Sequence, residues 1–498
     1  LLTVGKAETA TKNNLKVGKL NFIKMRIFYF IIIILLTFNF QSVYSQTDGL
    51  ADNSFNSGTG FNNDVIAIAL QSDGKILIGG SFTSYNGVNA NRIVRLNANG
   101  TLDNSFNFGS GFNSSVSDIL VLPDGKIIVV GYFSTYKGST KNKIIKLNSD
   151  GSIDNSFSSI GSSTAIGIRS IGIQSDNKIL ISRIFTTSGG SVINNDIVRL
   201  NTNGTIDNTF DTGSGFTNGS VETFKITTDG KIYVVGDFLA YKGVTLTMKR
   251  IIRLNSDGTR DTTFAFGTGY SGKVLDIALQ TDGKIVAGGD FFSYSSSVNT
   301  YKVNRIESNG NDNAFGLNGF PFNNSTTNNF VRSLAIQNDG KVIVGGQFTQ
   351  YNNIANINIV RLNNDGTGSR DNTFLTGNGF NSDVKKIVIQ PDGKILVGGY
   401  FTDFNGTTAN RIIRLNGTPT LASEDFEKNK IIIYPNPVKE TIYIANNEKL
   451  EYKIFDIMGK QILYGVDNQI NVSSLEKGIY LLKLKSDTKI ITQKFIKE

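Results

Sequence analysis

An all-β chain, a seven-bladed β-propeller followed by a small Ig-like β-sandwich, is the architecture this sequence predicts, on three observations. A unit of about fifty residues returns seven times. Each copy holds four short β-favouring stretches separated by Asp-Gly and Asn-Gly turns, the strongest local hairpin signals. The composition agrees, with 53 glycines and 10% aromatic residues, and no segment of helical period is long enough to compete.

One Asp marks the repeat, at Asp73, Asp124, Asp176, Asp229, Asp282, Asp339 and Asp392, in steps of 51, 52, 53, 53, 57 and 53 residues. A second mark, Asp-x-(Ser/Thr)-Phe, falls at Asp52, Asp103, Asp154, Asp207, Asp261 and Asp371, with a weaker copy at Asp312. A third, Arg-Ile-x-Arg-Leu-Asn, occupies residues 92–97 and recurs in variant form. In the first copy the four strands are expected at 65–70, 75–82, 92–97 and 101–106. Four antiparallel strands repeated seven times make a closed propeller, whereas solenoid coils are usually much shorter. The ends argue for closure. Residues 48–55 copy the turn and fourth strand seen at 99–106, and the last copy stops at Asn416-Gly417 without a fourth strand. The first strand is therefore expected to complete the last blade and remove two open sheet edges. The third copy departs from the pattern, with Asn177 in place of Gly and Ser182-Arg183 in place of Gly-Gly.

Residues 1–45 read as a leader and signal peptide, with Met25 the expected start. Its apolar run, residues 27–40, is fourteen residues long, short of the roughly 20 that a membrane helix needs, so no membrane span is expected in the mature chain. Removing the leader lowers the net charge from +9 to +4. With no basic block interleaved with aromatics, nucleic acid is not an expected partner. The chain has no histidine and no cysteine. That excludes Ser-His-Asp and Cys-His catalysis, imidazole or thiolate metal sites and disulfides. No cofactor, no metal and no catalytic residue is assigned.

The propeller is expected over residues 46–417. After Gly417 the composition changes: 418–428 read as a linker, and 429–498 alternate as short strands of a separate β-sandwich without arginine.

The repeated unit, over residues 48–416, resembles the bacterial delta-60 repeat of surface and secreted proteins, which implies propeller blades. The C-terminal segment resembles the type A sorting domain of the type IX secretion system of Bacteroidota. The residues that carry this are Tyr434-Pro435-Asn436-Pro437, residues 454–460 with Asp456 and Gly459, residues 475–480 with Gly478 and Tyr480, and the basic apolar end 494–497. The resemblance implies export, handling by the type IX machinery and its sorting peptidase, and release or attachment at the outer cell surface.

The Asp present in every copy is expected to close turns with its carboxylate and not to bind metal. Chemistry would need residues that break the repeat. Two adjoining positions of the first stretch do so, from Ile66-Ala67 in the first copy to Lys385-Lys386 in the last, and Asp118, Glu222 and Asp276 could supply a glycosidase-type carboxylate pair. The tight turns should share one face of the ring and the longer connections the other. On that second face Tyr85, Asn86, Tyr136, Tyr241, Tyr351 and Phe404 are expected to contact a glycan or protein ligand. Three functions follow: a non-enzymatic surface module for binding or adhesion, which leads; a carboxylate-based polysaccharide hydrolase or lyase; and a purely structural scaffold.

Overall fold

The computed structural model describes residues 48–158, 165–186, 192–245, 250–265, 267–295, 297–298, 302–315, 329–418, 433–444, 450–456, 460–485 and 490–498. The expected leader, most of the linker and Gly459 lie outside these. The chain divides into two compact units, residues 1–418 and 419–498.

The first unit is a ring of seven antiparallel blades. In blade 1 the inner strand is Val65–Leu70, the middle strand Ile76–Gly80 and the outer strand Ile93–Leu96. The equivalent inner strands that follow are Val116–Val121, Ala165–Ile173, Val221–Ile226, Lys273–Leu279, Phe330–Ile336 and Val384–Ile389. The expected fourth strand is a correction. In blade 1 it shrinks to one bridge, Leu102 to Leu96, and the Asp-x-Ser-Phe segment after it is a turn. Asp103 causes this: its Oδ1 accepts from the N–H and the hydroxyl of Ser105, which curls the backbone out of the sheet. Blade 5 keeps a true fourth strand, Asp312–Phe315.

The blades pack through small residues. A side chain at Gly398 of blade 7 would meet Val65 and Ile68 of blade 1, and one at Gly79 would meet Val116 and Ile119 of blade 2. Those glycines let the inner strand of the next blade close in. Ring closure uses the N-terminal segment as expected. Ala51 bridges Leu415, and the Asp52 N–H donates to the Arg414 carbonyl at 2.8 Å. In blade 3 the Gly-to-Asn exchange leaves the turn intact, because Asn177 adopts φ 63°, a conformation that Asn tolerates.

The repeat marks converge on one buried network. Asp103 Oδ2 lies 2.6 Å from Arg95 Nε and 3.2 Å from Lys75 Nζ. Arg95 also stacks on Phe106 and donates to the Ser149 carbonyl of the next blade. Asp73 closes its turn by accepting from the Lys75 N–H. Blade 7 builds the same network with an acid from the other end of the chain: Asp52 lies 2.6 Å from Arg414 and 3.2 Å from Lys394.

The second unit packs a sheet of Leu450–Asp456, Gln461–Asp467, Gly478–Lys485 and Ile490–Lys497 against a smaller one of Ile433–Tyr434, Thr441–Ile444 and Gln469–Asn471. Val438, Ile442, Ile454, Leu482 and Phe495 fill the space between.

Candidate functional site

The aromatic residues expected at a ligand-contacting face are inside the blades. Tyr85, Tyr136, Tyr241, Tyr351 and Phe404 are each at most 3% exposed. The rings pack in threes beneath the longer connections, as Phe112 does with Phe133 and Tyr136 at 4.3 and 4.5 Å. The tyrosine hydroxyls are spent as well. Tyr136 donates to the Gly151 carbonyl at 2.8 Å and Tyr85 to that of Gly100. Burial pushes these phenols well above their ordinary value. The expectation misread a fixed internal pillar as a variable surface. Asn86 alone of the six is exposed; it occupies the turn with φ 49°, and its Oδ1 accepts from Thr59.

The open site is on the ring axis. A cavity of about 690 Å³ is lined by all seven blades at the end where the inner strands begin, the end that bears the longer connections. A β-bulge near the start of each inner strand builds it. Register slips between Val65 and Ala67, and again between Val384 and Lys386; in blades 2 to 7 two successive residues, such as Ser117-Asp118 and Lys385-Lys386, then line the cavity, and in blade 1 Ile66 does. Along the inner strand these two positions vary widely among the copies, from Ile66-Ala67 to Lys385-Lys386.

The three candidate carboxylates are all in this wall, and each is already engaged. Asp118 accepts from the Ile119 and Ile171 N–H groups, and Asp276 from those of Ile277 and Leu334 at 2.9 Å each. They tie each blade to the next. Glu222 forms ion pairs with Arg169 and, at 2.6 Å, with Lys273. Burial would raise its pKa, but those two cations and the Ser220 hydroxyl hold it below the ordinary value.

Across the ring is a second charged group that the repeat pattern did not reveal. Arg332 Nε lies 2.9 Å from Asp383 Oδ2, and Lys385 pairs with Asp64. The remaining Oδ1 atoms of Asp64 and Asp383 are buried without a hydrogen bond among the described residues. Burial raises the pKa of Asp383 despite Arg332 and Lys385, and the nearby Asp64 adds to the rise. Asp64 and Asp383 precede the inner strands, in loops with little pattern to read. Two further cavity lysines, Lys386 and Lys225, have no acidic partner among the described residues. No cluster of three acidic side chains able to hold a metal occurs among the described residues.

In the second unit the sorting-motif residues serve the C-terminal strand. Asn436 Oδ1 accepts from the Ile496 N–H at 2.9 Å, and its Nδ2 donates to the Lys494 carbonyl. Tyr480 stacks on Phe495 and donates to the Glu476 carbonyl. Gly478 pairs with Lys497, and Asp456 accepts from the Lys460 N–H. Tyr434 is exposed and stacks on Tyr443, while Pro435 and Pro437 are exposed beside it.

The model of a domain of unknown function, DUF5122, described as a β-propeller, matches residues 71–106, 122–157, 174–210, 227–264, 280–311, 337–374 and 390–418. A secretion system C-terminal sorting domain matches residues 432–498. The chain belongs to the DUF5122 β-propeller family and carries a type IX sorting domain. This DUF5122 protein is therefore secreted or displayed at the cell surface. No curated protein matches it. Among solved structures it is similar to the extracellular domain of a hybrid two component system from B. thetaiotaomicron, at 12% identity and a TM-score of 0.44. That match covers 91% of this chain and 57% of the other, so the DUF5122 chain spans little more than half of that structure. It is also similar to a gluconolactonase from Xanthomonas campestris, at 8% identity, 76% and 93% coverage and a TM-score of 0.35. A GH74 xyloglucanase from the same species matches at 11% identity, 89% and 65% coverage and a TM-score of 0.26.

Proposed function

We propose that this protein is a non-enzymatic binding module of the cell surface or its surroundings, and that it takes a glycan or protein ligand at the axial mouth of the propeller. One observation carries the reading. Within the inner strands the copies keep apolar residues at the core positions, as at Val65 and Ile68, and diverge in charge and polarity at the two bulge positions beside the axial cavity. Divergence of charge and polarity in the wall of a cavity of about 690 Å³ is what a ligand site on a repetitive scaffold would produce, and the size suits a small ligand or one end of a larger one. The hydrolase alternative has less support, because Asp118 and Asp276 already accept two backbone N–H groups each and Glu222 is held between two cations. The test is to probe glycan and peptide arrays with the labelled full chain and with I66W, which plugs the mouth. L275W serves as a second plug if I66W melts early. Hits lost in the plugged variants support the reading. Hits that survive them, or no hits at all, overturn it.

A further inference from the structure

The charges in the cavity point to the kind of ligand. Its wall carries six cations: Arg169, Lys225, Lys273, Arg332, Lys385 and Lys386. The acids among them are unevenly shared. Glu222 alone serves both Arg169 and Lys273, while Arg332 and Lys385 have one acid each in Asp383 and Asp64. Asp118 and Asp276 each accept two backbone N–H groups, keep their negative charge, and form no ion pair with these cations among the described residues. Lys386 and Lys225 are left with no carboxylate among the described residues. They also stand at different depths. Lys386 is the third residue of its inner strand, and Lys225 the fifth of its own. Around Lys225 the cavity is lined by Ile171, Gly172, Ile173, Phe224 and Ile226, so this lysine is the charged group of a mainly apolar stretch of wall. The six cations of the wall face five acids, Asp118, Glu222, Asp276, Asp383 and Asp64, and the two half-buried lysines without an ion-pair partner favour an anion. The same wall carries hydroxyls, among them Ser170 and Thr223, which lie 3.2 Å apart on neighbouring blades. Lysine ammonium groups set among hydroxyls suit an oxyanion carried on a sugar ring.

We infer that the axial cavity recognises an acidic oligosaccharide, with a carboxylate or sulfate group placed between Lys386 at the mouth and Lys225 deeper in the channel. This rests on the axial-mouth reading above and narrows it. The full chain is titrated calorimetrically, at low and high salt, with oligogalacturonate, with a sulfated galactan oligomer and with the unsulfated galactan oligomer. Oligoglutamate is the fourth arm. One of the acidic sugars is expected to bind, to weaken with salt, and to lose about tenfold or more in K386Q and in K225M, because a charge-assisted hydrogen bond is removed. The two acidic arms separate a uronate from a sulfate ester. The neutral oligomer should bind at least tenfold more weakly. Thermal melting of both variants shows that they are folded, and K386R should restore much of the affinity. Equal binding of neutral and acidic sugars, or unchanged affinity in both variants, overturns the inference. So does binding of oligoglutamate with neither acidic sugar. If I66W abolishes array binding while K386Q and K225M do not, the anion falls and the axial mouth stands. If neither matters, both fall.

Discussion

Asp52 shows how much one carboxylate of the repeat can do. Burial alone would raise its pKa, but the Ser54 hydroxyl and N–H and the Arg414 guanidinium bring it from 3.8 down to about 2. Its counterparts Asp103, Asp154, Asp207, Asp261 and Asp371 are likewise held below the ordinary range. Each group is easier to protonate in the unfolded chain than in the folded one, so stability rises with pH across the window between the two values. Urea midpoints should therefore be level above about pH 5 and fall steeply from about pH 4 toward pH 2. A level midpoint down to pH 3 would contradict this. The buried tyrosines make the opposite kind of statement. Tyr136→Ala should cost about 3–5 kcal/mol of unfolding free energy through the cavity it leaves, and Tyr136→Phe about 1 kcal/mol through the Gly151 carbonyl left without its donor. Denaturant titration of both variants measures the pair of values. A large loss of ligand binding at unchanged stability would return Tyr136 to the contact surface.

At the level of the element, a blade is three strands plus a charged latch. The Asp-x-(Ser/Thr)-Phe segment has strand-like composition, yet only blade 5 turns it into a strand. Elsewhere the carboxylate draws the following Ser or Thr N–H into a turn and offers its second oxygen to Arg and Lys. That choice depends on the partners, which come from two other strands of the blade. The latch that closes the ring is chemically the same as those inside the blades. D52N and D103N should therefore cost similar amounts, about 3–5 kcal/mol each, by leaving a buried guanidinium with an uncharged partner. A D52N loss well below that of D103N, read from urea unfolding, would mean that the N-terminal segment is a loose addition to blade 7.

On the scale of the whole molecule, two units divide two tasks. The ring carries the cavity, and the sorting domain carries the address. Removing residues 432–498 should leave the thermal transition of the ring unchanged within about 2 °C, since each unit has its own core, while the shortened chain stays in the periplasm. Fractionation together with calorimetry checks both halves. Surface delivery of the shortened chain would remove the role of the sorting domain.

Repetition made the ring readable from the residues alone. Seven spaced turns, six of them Asp-Gly and the third Asp176-Asn177, the alternation of the inner strands and the spare first segment dictate blade number and closure, because turn chemistry and side-chain period are local properties. The sorting domain was legible for the same reason, in four ordered blocks of residues. The axial site was not. Asp64 and Lys385 are 321 positions apart in the chain yet form an ion pair across the closing seam. Only closure of the ring brings blade 7 against blade 1, and only the bulges turn two successive side chains toward the axis. The tyrosines failed for the converse reason. Tyr85 and Tyr136 immediately precede the turns of short two-stranded hairpins, where polar aromatics read as surface, and it is the packing of Phe61 and Phe112 beneath the same loops that draws them inside. Periodicity decides which residues are equivalent; the tertiary contacts decide which way each of them faces.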